Sequence, residues 1–250
     1  MTKCILFLLL LGVSVPACFA GARRFTYNYE AMTAAPGGFE FENWVTWKTS
    51  KPDDRSFNEV DFRHEIEFGL TDRLQAAIYL ADWNYAEGKS VDDPGFMYTA
   101  SALELVYNLT NPVADPLGLS FYQEIRAGRR VFESESKLIA QKNVGRFAFV
   151  YNATLEATWE GRGLDDRAGE IQQSLGASYE VNPRLFIGAE CLHEIELPEW
   201  KRPERGFFFA GPNASVRSGR FWATATALAQ LTNAGGEPDF QLRTIFGVAF

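Results

Sequence analysis

From residue 38 to residue 250 the chain breaks into segments of about 10 to 13 residues in which apolar and polar side chains alternate, separated by turn-forming residues. The clearest is 59–70: Val60, Phe62, Ile66, Phe68 and Leu70 share one face with His64, while Asp61, Arg63, Glu65, Glu67 and Gly69 make the other. A period of two is the signature of an extended strand with chemically distinct faces. The pattern predicts strands over 38–48, 59–70, 73–85, 97–109, 117–127, 131–142, 146–159, 168–181, 184–196, 206–217, 220–231 and 239–250. Links after the even strands are short, as at Thr71-Asp72, Asn143-Val144-Gly145, Asn182-Pro183 and Ser218-Gly219, with a longer Pro-containing link at 110–116. Links after the odd strands are long and polar, except the tight Gly128-Arg129-Arg130. Short turns on one rim and long loops on the other are how outer-membrane barrels are built, with the short rim in the periplasm. A strand of about twelve residues at ~3.3 Å each, tilted by ~40°, also spans the ~25 Å apolar band of such a barrel.

The predicted fold is therefore all-β: a transmembrane antiparallel up-and-down β-barrel of about twelve strands, placed in the cell outer membrane. In the last strand Phe240, Leu242, Thr244, Phe246, Val248 and Phe250 fall on one face, and the sequence stops at an aromatic residue. Phe246, Val248 and Phe250 resemble the C-terminal signal read by the barrel-assembly machinery, which would then be a partner together with outer-membrane lipid and lipopolysaccharide. Trp47, Trp83, Tyr85 and Trp159 lie where strands meet long loops, and Tyr107, Phe121, Phe147, Tyr179 and Phe250 lie near the short-turn rim. Two aromatic belts suit two membrane interfaces.

The amino terminus sets the compartment. Lys3 supplies a positive charge, residues 4–15 are almost wholly apolar, and Pro16-Ala17-Cys18-Phe19-Ala20 ends in small residues before Gly21. That is an export leader over residues 1–20, too short to span a bilayer as a helix. Cleavage after Ala20 is one reading; lipoprotein processing at Cys18, in the loose pattern Val15-Pro16-Ala17-Cys18, is the other. The formal net charge is −8, one unit more negative once Lys3 is removed, which excludes nucleic acid as a natural partner. Two of the three cysteines lie in the leader, so Cys191 remains alone and no internal disulfide can form. A mean hydropathy of −0.16 reads as water-soluble only if the two faces of each strand are averaged together. Residues 21–37 precede the barrel as a periplasmic segment or a plug; the alternation over 24–30 fits a short extra strand or a plug inside the lumen.

The unit Phe68-Gly69-Leu70-Thr71-Asp72-Arg73-Leu74-Gln75, the Gly211-Pro212 pair and the closing Phe250 resemble outer-membrane transporters grouped with the meta-pathway phenol-degradation proteins. The likeness is spread over most of 38–250, but its motifs are turns that many barrels share. It implies a porin-like barrel passing small hydrophobic or aromatic solutes, and it brings no catalytic residues.

If the apolar faces meet lipid, the other faces line the lumen with Glu40, Glu42, Asp61, Arg63, Glu65, Glu67, Glu104, Glu124, Arg126, Glu156, Glu190 and Arg243. An acidic majority predicts a cation-preferring pore, and an equally weighted reading is an interior salt-bridge network that closes a small barrel. The loop pairs Asp53-Asp54, Asp92-Asp93 and Asp165-Asp166 are weak divalent-metal candidates, Asp being a common turn residue. His64-Glu65 and His193-Glu194 repeat one context, but on strands neither makes a metalloprotease motif, and the register turns both rings toward lipid. No catalytic constellation and no cofactor motif is present, so the expectation is a non-enzyme without cofactors that carries a small-molecule solute. The competing readings are a non-conducting structural barrel and a soluble secreted all-β binding protein.

Overall fold

The computed structural model describes residues 22–250, so the expected leader over 1–20 and its two expected processing sites lie outside the described residues. Twelve strands form: β1 Phe39–Thr49, β2 Asn58–Gly69, β3 Leu74–Glu87, β4 Gly95–Thr110, β5 Gly118–Gly128, β6 Val131–Val144, β7 Phe147–Glu160, β8 Asp166–Asn182, β9 Leu185–Pro198, β10 Phe207–Ser218, β11 Phe221–Gln230 and β12 Phe240–Ala249. Each pairs antiparallel with its sequence neighbours, and β1 pairs with β12 from Glu40↔Ala249 to Thr49↔Phe240, closing the barrel. Closure gives every strand two hydrogen-bonded partners, as hydrocarbon requires. Among the described residues no helix is long and apolar enough to cross a membrane.

Alternation sorts the faces. On β1 Glu40, Glu42, Trp44 and Thr46 are buried inside, whereas Phe39, Phe41, Val45 and Trp47 look outward. The outer surface is a continuous apolar band carrying exposed Leu80, Leu103, Leu138, Leu155, Leu175 and Ile187. In water such a surface would drive aggregation; in a bilayer it is the contact with lipid. The chain is an outer-membrane barrel on that ground. Aromatic rings collect toward both ends of the band: Trp83 stacks on Phe96 at 5.3 Å near the long loops, and Phe147 meets Tyr179 at 4.8 Å near the short turns. At the seam Phe250 packs 5.2 Å from Phe39 and donates its backbone N–H to the Phe39 carbonyl at 2.8 Å.

Both histidines stand on the outer face. His64 Nδ1 lies 2.8 Å from Asn43 Oδ1, and the ladder slips beside it between His64 and Glu65, so the ring meets a polar neighbour next to a bulge. His193 packs 6.4 Å from the Phe208 ring.

Two short turns, at residues 145–146 and 219–220, use Gly145 and Gly219 at φ +58, the left-handed conformation that tight hairpins demand. Gly247 has a different task. A Cβ there would lie 2.2 Å from the inward indole of Trp222, whose Nε1 donates to Glu40 Oε1. Replacing Gly247 by Val is expected to displace that indole and cost about 1–3 kcal/mol. The check is the temperature at which the compact, heat-modifiable band is lost in detergent gels, which falls for Gly247→Val and stays unchanged for an outward substitution such as Val248→Ile.

Candidate functional site: a plugged lumen beneath an acidic vestibule

Residues 22–38 take no strand but bend into the barrel from the short-turn rim and return to it at Gly38, where β1 begins. Phe25, Tyr27 and Ala31 are buried, so this stretch fills space that would otherwise be pore. Polar strand residues hold it by hydrogen bonds to its backbone. Glu190 on β9 is fully buried and accepts the successive N–H groups of Thr26 (2.8 Å), Tyr27 (2.9 Å) and Asn28 (2.9 Å). It also accepts the Asn28 side-chain amide at 2.8 Å, that of Asn213 at 3.3 Å and the Thr226 hydroxyl. Asn152 Oδ1 accepts Tyr29 N–H at 2.7 Å, Gln141 Oε1 accepts Ala31 N–H at 2.8 Å, and Gln75 Oε1 accepts Ala34 N–H at 2.7 Å.

Side chains of the segment complete the grip. Arg23 pairs with Glu42 at 3.0 Å, Glu65 at 3.4 Å and Glu67 at 3.6 Å, its guanidinium 4.4 Å from the centre of the Tyr29 ring. Tyr29 donates its hydroxyl to Glu104 at 3.0 Å, and Tyr79 donates to the same carboxylate at 2.7 Å. Phe25 occupies the space left by the missing side chain of Gly176, where a Cβ would fall 2.7 Å from its ring. Arg243 stands 4.1 Å over the Tyr27 ring and donates to Thr46 Oγ1 at 2.9 Å.

Above this plug the lumen widens toward the long loops into two cavities of about 550 and 560 Å³. Their charges are unevenly compensated. In one, Lys48 pairs with Glu59 at 2.7 Å and Asp61 at 2.9 Å, Arg63 with Asp82 at 3.2 Å and Glu124 at 2.7 Å, and Arg126 with Asp82 at 3.0 Å and Glu133 at 2.9 Å. Glu156 lines both cavities, and in the other Glu170 and Glu196 share a wall with Asp165, Asp166 and Arg167. Among the described residues Glu156, Glu170 and Glu194 have no ion pair; their hydrogen-bond donors are neutral, Thr158 at 2.9 Å for Glu156 and Gln172 at 3.3 and 3.1 Å for Glu170 and Glu194. At the vestibule's mouth, burial pushes the Glu237 carboxyl above its ordinary range, with Lys48 and Lys51 opposing.

The lumen residues expected from alternation, Glu40, Glu42, Asp61, Arg63, Glu65, Glu67, Glu104, Glu124, Arg126, Glu156, Glu190 and Arg243, thus fall into two sets. Glu40, Glu42, Glu65, Glu67, Glu104 and Glu190 surround the plug; Asp61, Arg63, Arg126, Glu156 and Arg243 face the vestibule, Arg243 also standing over Tyr27 of the plug, and Glu124 is buried against Arg63. Phe246 and Val248 lie on the outer face, Phe246 6.3 Å from Phe221. The loop acids do not converge: among the described residues no grouping of His, Cys, Asp and Glu has the geometry to hold a metal. The reason is that their loops leave different strands. Asp92 and Asp93 are exposed, while Asp54 is spent on its own loop and the next. Its carboxylate accepts Ser56 Oγ at 2.6 Å, Ser56 N–H at 2.9 Å and Ser90 N–H at 2.7 Å, clasping loop 50–57 to loop 88–94. The residues not foreseen are Gln75, Gln141 and Asn152, which occupy inward positions of the alternation but whose partner is a segment far away in sequence.

Residues 17–244 match the model of a family described as "Family of unknown function (DUF6662)". A comparison with curated proteins finds no match. Among solved structures the chain is similar to the COG4313 outer membrane channel from Pseudomonas putida F1, with a TM-score of 0.64, 12% identity and coverage of 88% of this chain and 98% of that one. The NanC porin gives a TM-score of 0.57 at 8% identity, covering 84% and 98%. The beta domain of the Bordetella autotransporter BrkA gives 0.56 at 12% identity, covering 86% and 100%. At these identities the likeness is one of fold.

Two expectations follow. Truncating Glu190 to Ala leaves several buried donors without an acceptor, a loss of at least about 3 kcal/mol in holding the segment. Tryptic cleavage at Arg23 and Arg24 in the folded barrel should then speed up about a hundredfold, and less for Glu190→Gln. The second concerns Asp54, whose carboxyl the Ser56 hydroxyl and then the Ser90 N–H hold below the ordinary aspartate range. A folded value below the unfolded one means the clasp contributes in full above the unfolded pKa of about 3.9 and is lost progressively as pH falls from there through the lower folded value. Spin labels at positions 51 and 89 should give a narrow distance distribution at neutral pH that broadens in acid, and a broad one at both for Asp54→Asn.

Proposed function

The chain belongs to the DUF6662 family, and we propose that it is a porin-like outer-membrane channel for small cationic solutes whose lumen is closed by its own N-terminal segment. The carrying observation is the uneven compensation of charge in the vestibule: Arg63, Arg126 and Lys48 are ion-paired, while Glu156, Glu170 and Glu194 have only neutral hydrogen-bond donors. Uncompensated carboxylates in a confined, low-dielectric space concentrate cations and repel anions. Small aromatic compounds, the cargo implied by the phenol-degradation resemblance, enter this reading when they carry positive charge, because the same wall opposes aromatic acids. The plug is held mostly by hydrogen bonds and ion pairs, contacts that water can replace when the segment leaves. Recognition of Phe246, Val248 and Phe250 by the barrel-assembly machinery and contact of the loops with lipopolysaccharide belong to the same reading.

A non-conducting structural barrel is the competing reading, favoured by the number of bonds that hold the plug. Planar-bilayer recording separates the two. The mature protein is expected to show rare or small steps, and deletion of residues 24–36 frequent larger ones, with reversal potentials in a salt gradient that favour cations. Glu156→Gln with Glu170→Gln should lower the cation-to-anion permeability ratio several-fold. A deletion variant that keeps heat-modifiable migration yet gives no steps, or prefers anions, overturns the proposal.

A further inference from the structure

Four cations line the vestibule cavity of about 550 Å³: Lys48, Arg63, Arg126 and Arg243. The first three are each ion-paired with two carboxylates. Arg243, on β12, is paired with none among the described residues. Its Nε donates to Thr46 Oγ1 at 2.9 Å and its Nη1 to the Thr26 carbonyl at 3.4 Å, while its guanidinium lies 4.1 Å from the centre of the Tyr27 ring and 5.9 Å from that of Trp44. All of these partners are neutral. Asp61 stands two strands away in the same row, across Thr46, but it is taken by Lys48 at 2.9 Å and by the Asn84 amide at 2.7 Å.

A guanidinium presents five N–H donors in a rigid fork that matches a carboxylate. Two of those on Arg243 meet an acceptor among the described residues, so most of the fork is left for a ligand. Glu156 lines the same cavity and likewise has no ion pair among the described residues, its hydrogen bond coming from the Thr158 hydroxyl at 2.9 Å. It stands on β7, five strands from β12 round the closed ring, so the two charges lie on walls that do not adjoin. The space between them falls within the roughly 300–1,000 Å³ of small-molecule sites.

We propose that Arg243 and Glu156 are the two ends of a binding site for an amino acid with a basic side chain: Arg243 takes the α-carboxylate, and Glu156 takes the ammonium or guanidinium at the far end. The inference rests on the cation-channel reading and narrows its solute class. The vestibule then selects in two steps. Its surplus of carboxylates admits a solute of net positive charge. Arg243 separates the solutes that also carry a carboxylate from simple amines, since only they fill its fork with a charge-assisted pair. A carboxylate on a net anion is turned away by the same acids before it reaches Arg243. Because Arg243 rests on Thr26 and Tyr27, the site lies directly on the plug, where an arriving solute meets it.

The test is isothermal titration calorimetry at low salt on mature protein purified from outer membranes in detergent. The ligands are L-lysine, 5-aminopentanol, which has the same net charge and no carboxylate, and L-glutamate. L-lysine is expected to bind at least about tenfold tighter than 5-aminopentanol, the discrimination that one charge-assisted contact gives, and L-glutamate to give no binding. Arg243→Gln should bring L-lysine down to the level of 5-aminopentanol or below it and leave the amino alcohol no weaker, whereas Glu156→Gln should weaken both several-fold. Heat-modifiable migration confirms that each variant is folded, and the comparison of ligands on the unaltered protein needs no variant. Equal affinity for L-lysine and 5-aminopentanol, no binding of L-lysine, or equal weakening of both ligands by Arg243→Gln overturns the proposal. The channel reading is judged separately, by the reversal potentials of the plug-deleted barrel: cation preference there with no preference for L-lysine here sinks this inference alone.

Discussion

Hydrocarbon offers no hydrogen bonds, so a strand that enters it must find both partners within the protein. That constraint orders the whole molecule. It forces β1 to meet β12, and the ten paired positions from Glu40↔Ala249 to Thr49↔Phe240 remove the last open edge. With the ring closed, each strand has one face toward lipid and one toward an enclosed interior. The polar half of every alternation is thereby committed to a small shared volume. Glu40, Glu42, Glu65, Glu67, Glu104 and Glu190 are buried because closure leaves them nowhere else to point.

Enclosure then creates an electrostatic demand that the strands do not meet alone. Inward carboxylates outnumber inward cations, and a buried charge without a partner destabilises the state that buries it. The N-terminal segment answers with unlike chemistries at different heights. Arg23 brings a full positive charge to Glu42, Glu65 and Glu67. The bend at Thr26, Tyr27 and Asn28 brings only backbone dipoles, which converge on Glu190 as successive amides do around an anion. Tyr29 brings a hydroxyl to Glu104. The plug and the acidic interior are thus two halves of one arrangement, and Glu156, Glu170 and Glu194 lie beyond its reach.

Strand number, turn placement and inward face were legible because alternation is a local property with a period of two. Predicted and observed limits differ by about two residues or fewer, as in 168–181 against Asp166–Asn182, because strand ends are set by loop packing rather than by pattern. The exceptional tight link at Arg129 and Arg130 was legible too, since Gly128 precedes it and Val131 resumes the alternation at once. What could not be read was which inward acid meets which partner. Arg23 and Glu65, or Asn28 and Glu190, are far apart in sequence, and only closure brings them together. The acidic loop pairs misled for a related reason: Asp54 looks like a free carboxylate until Ser90, from the next loop, folds back onto it.

The balance between closed and open lumen turns on what kind of contact holds the plug. Apolar packing is present, with Phe25 seated against Gly176 and near Val106, Tyr122 and Ile139, but it is confined to a few side chains. Most of the grip is polar, and a polar grip differs from an apolar one in what replaces it. If the segment leaves and water follows, Glu190, Gln141, Asn152 and Gln75 exchange protein donors for water, so the net cost per bond is far below its gross strength. The carboxylates around Arg23 behave differently. Once wetted they are screened and no longer need their counter-ion, whereas Arg23 outside the barrel keeps its charge in water at little cost. On the channel reading proposed above, hydration therefore favours an open state most strongly where the closed state is most tightly paired, which is how a segment held by many bonds would leave without unfolding the barrel that surrounds it.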